Sequence, residues 1–391
     1  MNDNKTIRII VTGGGTAGHV MPIVSIADEI IKMQPNSSIR FIGQRSDKRS
    51  KDIVNKCKSI EKSYLISAGK LRRFHGRGLF WYFMHPTIII RNTIDVFKLF
   101  LGIVESVIIL IKFKPDVVFV KGGFVGLPVG LAAAILKIKI VTHDSDAIPG
   151  LTNRLLAKFV EVSAVALPVK YYKKYYNPTQ TIQTGVPINK KFFSTTPESD
   201  LKQKMKHSAS SQVLCVIGGS LGAVRMNDEI IKLVPSLLVS FPKLDIIWST
   251  GENQYKEIKM TIEKLGLGSR VTTEPFFNNL DQIFAISDLV ISRAGATTIA
   301  ELAASKKACI FIPNPVLTGG HQTKNAEILA INNAAEIVSE NEIENSGDKL
   351  LNVITYLLQN KKKRHQLANN LSAFADSEST TKLARVILGV I

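Results

Sequence analysis

Ile7-Arg8-Ile9-Ile10-Val11-Thr12-Gly13-Gly14-Gly15-Thr16-Ala17-Gly18-His19 is the stretch that decides the fold. Ile7 to Thr12 is dominated by β-branched residues and reads as a buried strand. Gly13 to Gly18 follows as a tight loop, and Val20 to Met33 places Ile23, Ile26, Ala27, Ile30 and Ile31 on one helical face. Strand, glycine loop and helix in that order open a βαβ unit, whose sheet is parallel. The unit returns in the second half of the chain. Val213 to Ile217 reads as a strand, Gly218-Gly219-Ser220-Leu221-Gly222-Ala223 as a glycine loop, and Met226 to Leu233 as the start of a helix. The fold class this predicts is α/β: two Rossmann-like parallel-sheet domains facing a cleft.

Length and composition agree with that division. The 391 residues, 45% of them hydrophobic, are enough for two separate cores. Residues 1–188 are expected to form the N-terminal domain and 189–212, polar and without an apolar period, the linker. Residues 213–365 are expected to form the C-terminal domain and 366–391 a terminal helix that packs back on the first. Cys57, Cys215 and Cys309 are isolated, have no metal-ligand spacing, and read as small buried apolar residues in a reducing compartment. The polar start, Asn2-Asp3-Asn4-Lys5, is unlike a signal peptide, so a cytoplasmic location is expected.

A net charge of +18 favours a polyanionic partner. Without zinc-finger spacing or an RNA-binding aromatic signature, an anionic membrane surface is preferred to nucleic acid, and no nucleic-acid partner is expected. Leu79 to Phe113 is rich in apolar runs but is interrupted by Arg91, Asp95, Lys98, Glu105 and Lys112, which excludes a spanning helix. Val96 to Ile111 reads as a core helix. Just before it, Lys70, Arg72, Arg73 and Arg77 adjoin Leu79, Phe80, Trp81, Tyr82 and Phe83, a composition suited both to ordinary packing and to docking on anionic headgroups.

Three loops carry candidate chemistry. His19 directly follows the first glycine loop, where a neutral imidazole can act as a general base or can make only a local helix-end hydrogen bond. The first βαβ unit offers no acidic ribose ligand at Phe41-Ile42-Gly43-Gln44, which disfavours a nicotinamide enzyme. Ser292-Arg293-Ala294-Gly295-Ala296-Thr297-Thr298-Ile299-Ala300-Glu301 leads from a strand into a helix whose free N–H groups suit a diphosphate. Glu301 can then accept from ribose hydroxyls, although Thr298 and Glu301 also have capping-box spacing. Polar His321-Gln322-Thr323-Lys324-Asn325 follows the strand Ala308 to Pro313, on the ligand-binding edge of such a sheet.

In order and spacing these segments resemble the MurG glycosyltransferase family. The resemblance extends through Ser67-Ala68-Gly69-Lys70-Leu71-Arg72-Arg73, Gly122-Gly123-Phe124-Val125-Gly126-Leu127-Pro128, and Pro149-Gly150-Leu151-Thr152-Asn153-Arg154. It implies a GT-B fold and an inverting transfer of N-acetylglucosamine from UDP-N-acetylglucosamine to the muramyl 4-hydroxyl of lipid I, the undecaprenyl-diphosphate-linked muramyl-peptide. The product is lipid II of peptidoglycan synthesis. A related enzyme using another UDP-sugar or a glycerolipid acceptor is the alternative. No cofactor and no metal are implied. The implied location is peripheral, on the cytoplasmic side of the cell membrane, near cell-wall synthesis and division proteins.

Carried over position by position, Thr16, Ala17 and Gly18 line the diphosphate and acceptor side, with His19 as the base. Ser220 touches the donor phosphates, Ala296, Thr297 and Thr298 hold the nucleotide, and Glu301 takes the ribose. Gln322 and Asn325 contact the sugar, and Phe277 falls near the uracil-reading position. Three residues depart from the family pattern. His143-Asp144-Ser145-Asp146 puts an acid, Asp146, where an amide is usual; an acid accepts hydrogen bonds but donates no N–H. Leu221 replaces a glutamine. Asn189 replaces an arginine near the diphosphate, a loss that Arg293 or a lysine is expected to offset.

Overall fold

The computed structural model describes residues 6–14, 17–70, 86–194, 196–205, 207–218, 223–315, 318–345 and 347–391. The chain divides into two compact units: residues 1–189 with 378–391, and residues 190–377.

In chain order, the first unit contains β1 (Ile7–Thr12), α1 (Ala17–Met33), β2 (Ser37–Gln44), α2 (Lys48–Asn55), β3 (Lys62–Ile66), α3 (Pro86–Phe113), β4 (Val117–Val120), α4 (Gly126–Ile135), β5 (Lys139–Asp144), α5 (Leu151–Leu156), β6 (Val162–Val165) and β7 (Thr181–Gln183). Its strands are all parallel, in the order β3-β2-β1-β4-β5-β6-β7. Successive side chains of β1 point to opposite faces. Ile9 and Val11 join Ile23, Ile26 and Ile30 of α1 in one core layer, while Ile10 joins Val118, Leu110 and Val129 in the other. α1 begins at Ala17, so the glycine loop is shorter than the sequence predicts and Gly18 and His19 stand in the first helical turn.

The second unit contains α6 (Glu198–Lys204), β8 (Gln212–Ile217), α7 (Val224–Ser240), β9 (Leu244–Ser249), α8 (Tyr255–Lys264), β10 (Val271–Glu274), α9 (Leu280–Ile286), β11 (Leu289–Ser292), α10 (Ala296–Ala304), β12 (Cys309–Phe311), α11 (His321–Ile331), β13 (Glu336–Ile337), α12 (Glu340–Asn345), α13 (Gly347–Gln359) and α14 (Lys361–Ser372). Its parallel sheet runs β10-β9-β8-β11-β12-β13. β8 alternates in the same way: Leu214 and Val216 pack with Trp248 and the α7 side, Val213 and Cys215 with Phe284 and Phe311. All three cysteines are free and buried, and burial pushes the Cys215 thiol up to about 12.

Two boundaries differ from the sequence reading. Residues 190–212 are part of the second unit, because Leu201 of α6 is buried in its core and the Lys202 ammonium donates to the Ser211 carbonyl at 2.8 Å. The C-terminal region holds two helices: α14 stays with the second unit, whereas α15 (Ser379–Gly389) belongs to the first. Leu383, Ala384 and Ile387 of α15 enter the core layer of α1, and the buried Thr381 hydroxyl donates to Glu29 at 2.7 Å.

α3 corrects the core-helix reading. One face is anchored: a Cβ on Gly69 would lie 1.9 Å from the Asp95 carbonyl, so the chain leaving β3 presses on the helix backbone as only glycine permits. Glu105 accepts from the Ser67 N–H and from Arg45, which together hold its carboxyl below the usual range against the opposing effect of burial. The other face is exposed, with Ile90, Ile94, Phe97, Leu101, Val104, Ile108 and Ile111 spaced alternately by four and three residues and Phe97 71% accessible. No helix among the described residues is long and apolar enough to cross a membrane.

Candidate active site

Ligand sites in open parallel sheets form beyond the carboxyl ends of the two strands whose connections leave in opposite directions. Those strands are β1 and β4 in the first unit and β8 and β11 in the second.

In the first unit, Gly13-Gly14 and Lys121-Gly122-Gly123 lie side by side there, tied by the Lys121 N–H to the Thr12 carbonyl at 2.9 Å. Gly123 has φ +79°, and a Cβ on it would stand 2.5 Å from the Gly14 carbonyl, so both conformation and space require glycine. The Thr152 hydroxyl fixes this loop by donating to the Gly123 carbonyl at 2.8 Å.

Beneath the edge, β5 ends in a buried polar cluster. Asp144 accepts from the Tyr176 hydroxyl at 2.5 Å and from the Gly150 N–H at 3.0 Å; burial raises its carboxyl above the usual range against these bonds. His143 Nε2 lies 2.9 Å from the Gly185 carbonyl, which can only accept, so Nε2 carries the proton. Burial, then the Lys121 charge, hold this imidazole neutral. Lys121 itself is 3% exposed, donates to Ser145 Oγ at 3.0 Å and is lowered to about 8 by desolvation, while Asp144 and Asp146 pull the other way. The half-buried Asp146 follows, its backbone carbonyl accepting from Tyr172.

In the second unit, α10 opens directly after β11. Its N-cap is Gly295, which makes no side-chain cap, so Thr298 is the third helical residue and the capping-box reading of Thr298 and Glu301 is excluded by position. Ala296, Thr297 and Thr298 form the half-buried first turn. One turn on, the partly buried Glu301 is pushed up to about 8 by desolvation alone. A carboxyl so placed gains from a ligand that donates to it.

Asn325 Nδ2 donates to the Ala294 carbonyl at 3.1 Å, and Gln322 Oε1 accepts from the Asn314 N–H at 2.9 Å, so both amides brace the loops around α10. Phe277 lies after β10 and packs on the adjoining core layer.

Arg293 does not replace the cation lost at Asn189. Its guanidinium is buried, 2.5 Å from Glu340 and 3.0 Å from the Ile312 carbonyl it donates to. Arg225, an exposed cation in the first turn of α7 and a few residues after the second glycine motif in sequence, reaches the other Glu340 oxygen at 3.4 Å. Sequence reasoning passed over it and Lys121; a lysine closing the apolar run Val117 to Val120 was the available signal. The exposed Asn189 ends the first unit's main segment. Thr16, Ser220 and Leu221 lie outside the described residues, as do Leu71, Arg72, Arg73, Arg77, Leu79, Phe80, Trp81, Tyr82 and Phe83 and the side chains of Ala17, Gly18 and His19; Lys70 is described and exposed. No cluster of potential metal ligands occurs among the described residues.

Two parallel Rossmann-like sheets, the first with Gly13-Gly14 at its divergence point and the second with a carboxyl one turn into α10, make up a GT-B fold. The N-terminal domain model of glycosyltransferase family 28 matches residues 9–165 and its C-terminal domain model matches residues 213–382. A UDP-N-acetylglucosamine–N-acetylmuramyl-(pentapeptide) pyrophosphoryl-undecaprenol N-acetylglucosamine transferase of Geotalea uraniireducens is 33% identical over 95% of both chains. One of the same description from a Thermoanaerobacter species is 31% identical over 98% of this chain and 100% of its own. The crystal structure of Acinetobacter baumannii MurG superposes with a TM-score of 0.72 at 23% identity, covering 98% and 99% of the two chains. The chain belongs to the MurG family within glycosyltransferase family 28.

Proposed function

We propose that this enzyme transfers N-acetylglucosamine from UDP-N-acetylglucosamine to the muramyl-peptide carried on undecaprenyl diphosphate, making lipid II. The observation that carries this is the full-length match to transferases of that description, with both family-28 domains present. The alternative donors and acceptors rested on Asp146, Leu221 and Asn189, and neither relative's description contains one.

Each residue then has a stated job. Glu301 accepts from the ribose hydroxyls, which offsets the desolvation of its carboxyl. The N–H groups that open α10, with Ala296, Thr297 and Thr298, and the Ser220 loop before α7 stabilise the departing diphosphate. Gln322, Asn325 and Asp146 contact the sugar, and Phe277 stands at the uracil. His19, beside Thr16, Ala17 and Gly18, takes the proton of the acceptor hydroxyl. The test is transfer of radiolabelled sugar to a lipid I analogue in EDTA. Product is expected from the native enzyme. His19→Ala should lower kcat by about 10²–10⁴ with little change in donor KM, as for a general base. Equal loss in both parameters would return His19 to a structural role, and no product from the native enzyme in EDTA would sink the metal-free reading.

The enzyme works as a peripheral protein on the cytoplasmic face of the membrane. The exposed apolar stripe of α3 is flanked by exposed Arg91, Lys98 and Lys112, and the chain carries +18 overall, a combination suited to anionic headgroups. The segment Lys70 to Phe83 precedes α3 and extends the same chemistry in sequence. Phe97→Ser with Leu101→Ser should weaken sedimentation with anionic vesicles while sparing transfer to a short-chain soluble acceptor; unchanged sedimentation would exclude this face.

A further inference from the structure

Lys121 is the feature of the first unit that the reaction as described does not use. A lysine ammonium is rarely buried without a matching acid, because its desolvation must be offset by charge or hydrogen bonds. Here it is 3% exposed, at the carboxyl end of β4, on the loop that packs against Gly13. Of its three donors, one goes to Ser145 Oγ at 3.0 Å, with no other acceptor among the described residues. Two carboxylates act on it, Asp144 first and Asp146 second.

These two acids are not equivalent. Asp144 already has its own partners, the Tyr176 hydroxyl and the Gly150 N–H. Asp146 is the more exposed and lies on the turn that Lys121 grips through Ser145. The other ionisable groups around Lys121 do not compete: His143 on β5 is neutral, and burial raises the Tyr172 and Tyr176 hydroxyls. Thus Lys121 is a cation that holds this turn through Ser145, with the Asp144 and Asp146 carboxylates both acting on it.

We propose that Lys121 is a positioning residue for the donor sugar: its ammonium grips the turn Asp144–Ser145–Asp146 and balances the Asp146 carboxylate, so that this acid serves as a hydroxyl acceptor in place of a neutral amide. The inference rests on reading Asp146 as a sugar contact. A cation that fixes the turn also fixes where its carboxylate stands, and the two positions then act as one unit.

The test is a double-mutant cycle on the full enzyme, reading donor KM, kcat and thermal midpoint for Lys121→Met, Asp146→Asn and both together. Each single variant is expected to raise the KM for UDP-N-acetylglucosamine about tenfold, with kcat nearly unchanged. The double variant should also rise about tenfold rather than by the hundredfold product, a coupling of the size seen for contacting charges. Multiplying losses overturn the pairing while leaving Asp146 as a sugar contact. An unchanged KM in Asp146→Asn overturns both the pairing and that contact. Should Lys121→Met fail to fold, Ser145→Ala removes only the Nζ acceptor. It should raise donor KM severalfold in the wild-type background and have no effect beside Asp146→Asn; the same rise in both backgrounds overturns the proposal.

Discussion

The divergence points of the two sheets share one topology and differ in how charge is handled beneath it. Beneath β1 and β4 lies a balanced cluster in which Lys121, Asp144, Ser145 and Tyr176 are linked by hydrogen bonds or charge. Beside β11 stands Glu301, a carboxyl with no counter-charge acting on it among the described residues, while Arg293, on the loop before α10, is spent on Glu340. The lesson is physical. A site whose charges are satisfied internally is rigid before substrate arrives, whereas a desolvated acid waiting for donors converts its own instability into affinity for a ligand.

The strongest way to break this contrast is Glu340→Ala. It leaves the buried Arg293 unpaired beneath the α10 loop, and an uncompensated buried charge costs about 3–5 kcal/mol. Thermal or urea unfolding should register that loss. A loss below about 1 kcal/mol would mean that Arg293 is solvated after all.

Glu301→Gln should lower UDP affinity about 10- to 100-fold, the range for hydrogen bonds to a charged group, measured by calorimetry. The same group sets a pH dependence. Its folded pKa, about 8, lies above the ordinary 4.5, so its contribution to stability is complete below 4.5 and is lost as pH rises toward 8. Binding of ribose hydroxyls favours the ionised form, so UDP affinity should increase from pH 6.5 to 8.5 and then level off. In Glu301→Gln both trends should flatten; a native pH response persisting in that variant would assign it to another group.

The smallest effect sharpens the comparison from the other side. Tyr176→Phe removes one hydrogen bond to the buried Asp144 and should cost about 1–3 kcal/mol of stability. UDP affinity should be unchanged, because Asp144 meets its partners, Tyr176 and Gly150, within the first unit. A fall in UDP affinity equal to that of Glu301→Gln would erase the distinction between the two edges.

Much of this architecture is legible from residues alone. β1 alternates between two core layers because Ile9, Ile10 and Val11 are all apolar, and a strand covered on both faces by helices must be apolar on both. The glycine loops follow from the same local rule, since strand-to-helix turns at a sheet's carboxyl edge need small residues. The composition of α3 was equally plain, yet its exposure was not: periodicity shows that a helix has apolar faces but not which of them the fold leaves uncovered. Likewise the spacing of Thr298 and Glu301 fitted a cap, until the helix start at Ala296 placed the acid in the second turn.

The sequence by itself determined two parallel α/β units, their glycine loops and the family, because these depend on residue type and on separations of a few positions along the chain. Only the tertiary structure decided that Arg293 is bound to Glu340, that the buried Lys121 donates to Ser145, and that α15 joins α1. Those outcomes depend on which distant segments meet and on what water they exclude, and the strength of a charge is set by that exclusion rather than by its place in the sequence.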